Sequence, residues 1–147
     1  MTKFIKLWFI GDVFGSAGRE SVFKNYKNSV ESQKIDITVL NGENSAGGFG
    51  ITPKIADDFF KLGVDIITSG NHIWSKKEIY PYISANPKLI RPANFSEGVP
   101  GFGYSVIEKN NIMIALINLI GKVFILDSHC PFRKFDEIYL KIKSQVK

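Results

Sequence analysis

Three apolar runs in this chain stop abruptly on glycine and a side chain that carries oxygen or nitrogen. Phe9-Ile10 gives way to Gly11-Asp12, Val39-Leu40 to Asn41-Gly42-Glu43-Asn44, and Val64-Asp65-Ile66-Ile67-Thr68-Ser69 to Gly70-Asn71-His72. A strand that ends in this way presents polar chemistry at its carboxyl end, because glycine lets the backbone turn sharply and leaves space beside it. In a parallel sheet those ends lie along one edge, so the pattern predicts that Asp12, Glu43, Asn44, Asn71 and His72 share one crevice. Carboxylates, carboxamides and an imidazole gathered in a crevice make a metal site the leading reading.

The rest of the chain supports the parallel sheet. Phe4–Ile10 is an almost continuous apolar run, the pattern of a strand covered on both faces. Gly11–Gly18 reads as the turn after it, and Arg19–Ser32, with Val22, Phe23, Tyr26 and Val30 on one stripe, as a crossover helix. Ile37–Leu40 is the second strand and Asn44–Gly50 a glycine-rich loop. Thr52 and Pro53 are an N-cap and first helical residue for a helix that Gly63 closes. The third strand leads to Gly70-Asn71-His72, followed by a short helical stretch from Lys76 that Pro81 marks near its start or interrupts. Leu89–Arg91 is a fourth strand, halted by Pro92. Tyr104–Glu108 and Ile112–Asn118, joined by Lys109-Asn110-Asn111, form a β-hairpin at the edge or in a second sheet, and Phe135–Val146 has helical spacing. The fold class is therefore α/β, parallel strands with flanking helices plus a hairpin.

Composition narrows the function. A chain of 147 residues is of single-domain size,. No stretch of about 18 apolar residues is present to span a bilayer, and the amino terminus lacks a secretory pattern, so a cytoplasmic protein is expected. Its one cysteine, Cys130, offers neither an internal disulfide nor a thiolate metal cluster,; it reads as a half-buried small apolar residue. The net charge of +5 comes from scattered lysines, which favours a solvated surface and an anionic small substrate over a nucleic-acid face. The glycines Gly11, Gly15 and Gly18 do not have dinucleotide-binding spacing, and no P-loop lysine follows them. Asp12 taken alone reads as an N-cap as readily as a ligand, and His72 alone as a structural histidine. Glu43 is harder to dismiss, because a carboxylate at a buried strand end is costly unless it is paired or binds a cation.

Gly11-Asp12-Val13-Phe14-Gly15, the run Asn41–Thr52, Gly70-Asn71-His72-Ile73-Trp74 and Leu89–Asn94 together resemble the YmdB-like metallophosphoesterases, and the likeness continues to Cys130-Pro131-Phe132-Arg133. The resemblance implies a calcineurin-like sandwich of two sheets that hydrolyses 2′,3′- or 3′,5′-cyclic nucleotides at a pair of iron or manganese ions. It makes Asp12 a ligand of one metal and Glu43 the carboxylate bridging both. Asn44 adds an oxygen to the first and Asn71 to the second, while His72, free of metal, protonates the leaving alkoxide. Such roles suit the chemistry of these groups.

One departure is plain. The family carries further metal-binding histidines in a second half, whereas this chain has two histidines in all. His72 is already assigned, and His129 reads as a surface residue. The expectation is an amino-terminal portion of a single phosphoesterase domain, completed by a second half or a homo-oligomer. The alternative is a catalytically incompetent fragment or binding module. An apolar strand such as Ile112–Asn118 without its natural neighbours predicts self-association.

Overall fold

The computed structural model describes residues 4–125 and 128–146. The apolar runs become four parallel strands, β1 (Leu7–Ile10), β2 (Ile37–Asn41), β3 (Ile66–Thr68) and β4 (Leu89–Ile90), in that spatial order. Leu7 stands opposite Ile37, Val39 opposite Ile66 and Ile67 opposite Leu89. Parallel neighbours need crossover connections, and here α1 (Gly15–Gln33), α2 (Pro53–Leu62) and α3 (Ile79–Ala85) lie in the three of them. The carboxyl ends of all four strands consequently emerge along one edge.

Successive side chains on a strand point to opposite faces, and both faces of this sheet are used. Leu40, Ile67 and Leu89 share one core with Tyr26 of α1, Ala56 and Phe59 of α2, and Ile79 and Ile83 of α3. Ile37, Val39, Ile66 and Ile90 form the other, against Ile107, Ile114 and Leu116. Those three belong to a hairpin of β5 (Tyr104–Lys109) and β6 (Ile112–Ile117), a separate two-stranded sheet. Asn110 and Asn111, at φ +52° and +60°, make its turn with the left-handed backbone that tight hairpins require and that asparagine tolerates best after glycine. The result is a layered α/β sandwich.

Fully buried Asn94 ties the chain after β6 back to the chain before β5. Its Nδ2 donates to the carbonyls of Ile120 and His129, both at 2.8 Å, and its Oδ1 accepts from the Ile120 amide at 2.9 Å. Every polar atom of this buried carboxamide has a partner, as burial demands. The last helix, α4 (Pro131–Ile142), buries Ile138 and Ile142. Among the described residues no helix is long and apolar enough to cross a membrane.

Four expectations are corrected. β1 is shorter than Phe4–Ile10 and is not covered on both faces: Trp8 and Ile10 pack on the helical side, but Leu7 and Phe9 are 45% and 55% exposed. The hairpin lies over β2, β3 and β4, leaving the end strand bare. Helix α1 starts at Gly15 rather than Arg19, and its N-cap is Phe14, not Asp12; Asp12 is thereby released from capping. The chain after Gly70 enters a 3-10 helix, Asn71–Ser75, before α3. Finally α4 begins at Pro131, a residue preorganised for the first helical position, so the helix lies about one turn earlier than Phe135–Val146. Helix α2 follows expectation, with Thr52 Oγ1 accepting from the Ile55 amide and Gly63 at φ +115°.

Candidate metal centre

The loops after β1, β2 and β3 are stitched together by backbone hydrogen bonds at the carboxyl edge of the sheet. Val13 donates to the Asn41 carbonyl and Gly15 to the Asn44 carbonyl, each at 3.0 Å, and Gly42 donates to the Thr68 carbonyl at 3.0 Å. Two glycines make room for close packing at this edge. A Cβ at Gly42 would press to 2.9 Å on Ile51, and one at Gly70 would fall inside the Glu43 carboxylate. Glycine at 70 is therefore what lets the Glu43 side chain lie across the end of β3.

The five candidate residues form two linked pairs and a neighbour. Asn44 Nδ2 donates to Asp12 Oδ1 at 2.9 Å. Glu43 Oε1 accepts from the His72 backbone amide at 3.0 Å, while the Glu43 amide is itself held by Asn41 Oδ1 at 3.1 Å in a local Asx turn,. Asn71 stands exposed at the start of the 3-10 helix, one residue after Gly70. The His72 ring is partly exposed and meets the Phe49 ring edge-on, with centroids 4.9 Å apart. Loop Asn44–Gly50 is fixed from behind: Ser45 Oγ donates to the Gly42 carbonyl at 2.7 Å and the Arg19 guanidinium to the Ser45 carbonyl. Gly50, at φ +77°, lets the loop pass close to the His72 carbonyl.

One atom here is out of balance. Asn44 Oδ1 is buried and has no hydrogen-bond partner, although buried polar atoms are nearly always satisfied. A carboxamide oxygen left open beside the Asp12 carboxylate has the character of a cation ligand. Among the described residues no three His, Cys, Asp or Glu side chains converge, so the donor set is mixed: carboxylates from Asp12 and Glu43, carboxamide oxygens from Asn44 and Asn71. All-oxygen sets of this kind suit hard or borderline divalent ions. The residues present thus fit a metal, with few donors for two of them.

Two contributors escape a reading of the sequence. Asn118, just past β6, donates through Nδ2 to the carbonyls of Ser69 and Ile90 at 2.7 and 3.1 Å, bracing the residue before Gly70. Arg19 looks like surface charge in a helical stripe, yet its reach to Ser45 secures the loop Asn44–Gly50. Neither sits in a motif, and only three-dimensional proximity exposes them.

Comparison with known proteins places this arrangement in context. Residues 8–147 match the YmdB-like protein family. Over 135 residues the chain is 45% identical to the 2′,3′-cyclic-nucleotide 2′-phosphodiesterase of Bacillus subtilis, an alignment covering 91% of this chain and 51% of that protein. A solved structure described as a novel phosphatase from Mycoplasma pneumoniae superposes with a TM-score of 0.88 at 31% identity, over 96% of this chain and 52% of the other. A hypothetical protein from Thermus thermophilus gives a TM-score of 0.86 at 29% identity, over 92% and 52%. The chain spans about half the length of the relatives it matches.

Proposed function

The chain belongs to the YmdB-like protein family, and from that premise we propose that it supplies one half of a metal-dependent phosphodiesterase centre acting on cyclic nucleotides or small phosphodiesters. The observation that carries the reading is the open Asn44 Oδ1 beside the Asp12 carboxylate, next to Glu43 at the end of the neighbouring strand. Asp12, Asn44 and Glu43 would hold a first divalent ion, manganese or iron, and Glu43 with Asn71 part of a second. Bound ions of this type supply charge neutralisation for the phosphate and a more acidic water.

The protein's own groups have separate tasks. The His72 amide donates to Glu43 and so orients its carboxylate before substrate arrives. Water oxygen adds to phosphorus, giving up one proton to solvent, and the bond from phosphorus to the leaving ribose oxygen breaks; that oxygen takes a proton, which the His72 imidazole would donate as general acid and recover from solvent. Phe49 against the imidazole edge restricts its orientation. Four side-chain donors are too few for two ions that each take about four to six, which favours further ligands from outside these residues.

The test is hydrolysis of a 2′,3′-cyclic nucleotide with manganese, by the chain alone and with the missing half of a family relative added as a separate polypeptide. Turnover on addition, reduced about 10²- to 10⁴-fold by His72→Ala, supports the proposal. No turnover in either mixture, with both halves folded, would count against it.

A further inference from the structure

The face that carries Asn71 does not end there. A 3-10 helix repeats every three residues, so positions i and i+3 lie one above the other, and Trp74 continues the line of Asn71 along the helix Asn71–Ser75. Beyond it opens a cavity of about 580 Å³ lined by both residues. Phe95, 9% exposed, is among its most deeply buried lining residues; Trp74 and Tyr80 line it with rings 4.8 Å apart, tilted by 34°. Val99 and Pro100 complete the far side, and Phe124, 97% exposed and at φ +62°, stands at the rim. A bulky side chain in left-handed backbone is uncommon, and here it holds an uncovered aromatic ring beside an aromatic cavity.

The far wall is built in advance. Arg91, half-buried, donates to the carbonyls of Pro100 at 2.9 Å and Val99 at 3.2 Å and to that of Pro92 at 2.9 Å. Its charge is spent on the backbone behind the cavity, and among the described residues no charged side chain lines the space itself. A phosphate there would lose its hydration with no cation in return. A flat, uncharged ring with a polar edge matches the lining, because aromatic side chains stack on the face of any base, while Asn71, Ser96 and Tyr80 offer hydrogen-bonding atoms. The volume falls in the range of small-molecule sites.

We infer that this cavity is a nucleobase subsite, holding the base of a cyclic nucleotide between the Trp74–Tyr80 pair on one side and Phe124 on the other while the phosphodiester lies at the strand ends across Asn71. The inference rests on the phosphodiesterase reading for its direction, but it can fail separately.

Its test needs neither metal nor turnover. In the intact chain Trp8→Phe leaves Trp74 as the only tryptophan, since the sequence has two. Titration with adenosine, guanosine or cytidine, none of which carries phosphate, should quench Trp74 fluorescence saturably, and inorganic phosphate should not. Phe124→Ala removes a solvent-exposed ring and leaves the core intact; it should weaken nucleoside binding about 5- to 100-fold, as should Tyr80→Ala. Absence of saturable quenching, or quenching indifferent to both substitutions, overturns the subsite and leaves the cavity as a seat for polypeptide. If nucleosides bind but manganese binding is indifferent to Asp12 and Glu43, the subsite stands and the phosphodiesterase reading falls.

Discussion

Asn44 and Asp12, 32 residues apart in sequence, are joined by a 2.9 Å hydrogen bond from carboxamide to carboxylate, and this contact brings the ends of two neighbouring strands into one site. It also makes a substitution informative. Asn44→Asp sets two carboxylates against each other, which repel unless a cation lies between them. The variant should melt roughly 2–4 °C lower than the parent in chelator, and regain or exceed the parent's melting temperature in manganese. A variant that melts at the same temperature with and without the ion would remove Asn44 from the ligand set.

Gly70→Ala tests the packing of Glu43. The added methyl group would occupy the position of the carboxylate, so the side chain must move off the His72 amide. The expected cost is about 1–3 kcal/mol in urea unfolding, with weakened manganese binding at a level of stability that still leaves the chain folded. Gly42→Ala is the comparison: it presses on Ile51 and Ile67, so it should cost similar stability without touching the carboxylate.

The bare face of β1 bears on assembly. Leu7 and Phe9 are largely exposed on a strand at the end of its sheet, where backbone groups along the outer side are open to another chain. The sequence directs attention to Ile112–Asn118 as the sticky strand, but in the fold Ile114 and Leu116 pack over the parallel sheet and β1 is the more open of the two. Phe9→Lys should shift sedimentation at high concentration toward monomer, whereas Met113→Lys on β6 should change it less. Indifference to Phe9→Lys would show that β1 is not an association surface.

The parts of this fold that the sequence discloses are those governed by local rules. Thr52-Pro53 and Gly63 bound α2 where capping chemistry puts them, and Asn110-Asn111 turn the hairpin. The strand ends were legible for the same reason: glycine followed by a donor is a local signal. What was not legible depends on neighbours. An apolar Phe4–Ile10 reads as a doubly covered strand whether or not a second layer reaches it, and the hairpin stops short. Asp12 looks like a helix cap until Phe14 takes that place. Trp74 has no role in the sequence beyond closing the stretch Gly70–Trp74, and only the pitch of a 3-10 helix, invisible in a five-residue stretch, aligns it with Asn71.

Whether Asp12, Asn44 and Glu43 hold a divalent ion is decided by equilibrium manganese binding to the isolated chain. One saturable site per chain is expected, with a second ion weak or absent for want of donors. Affinity should fall by more than the roughly 10- to 100-fold that loss of an outer hydrogen bond costs in both Asp12→Ala and Glu43→Gln, while far-UV circular dichroism stays unchanged. Absence of saturable binding by the folded chain, or binding that survives both substitutions, would contradict it.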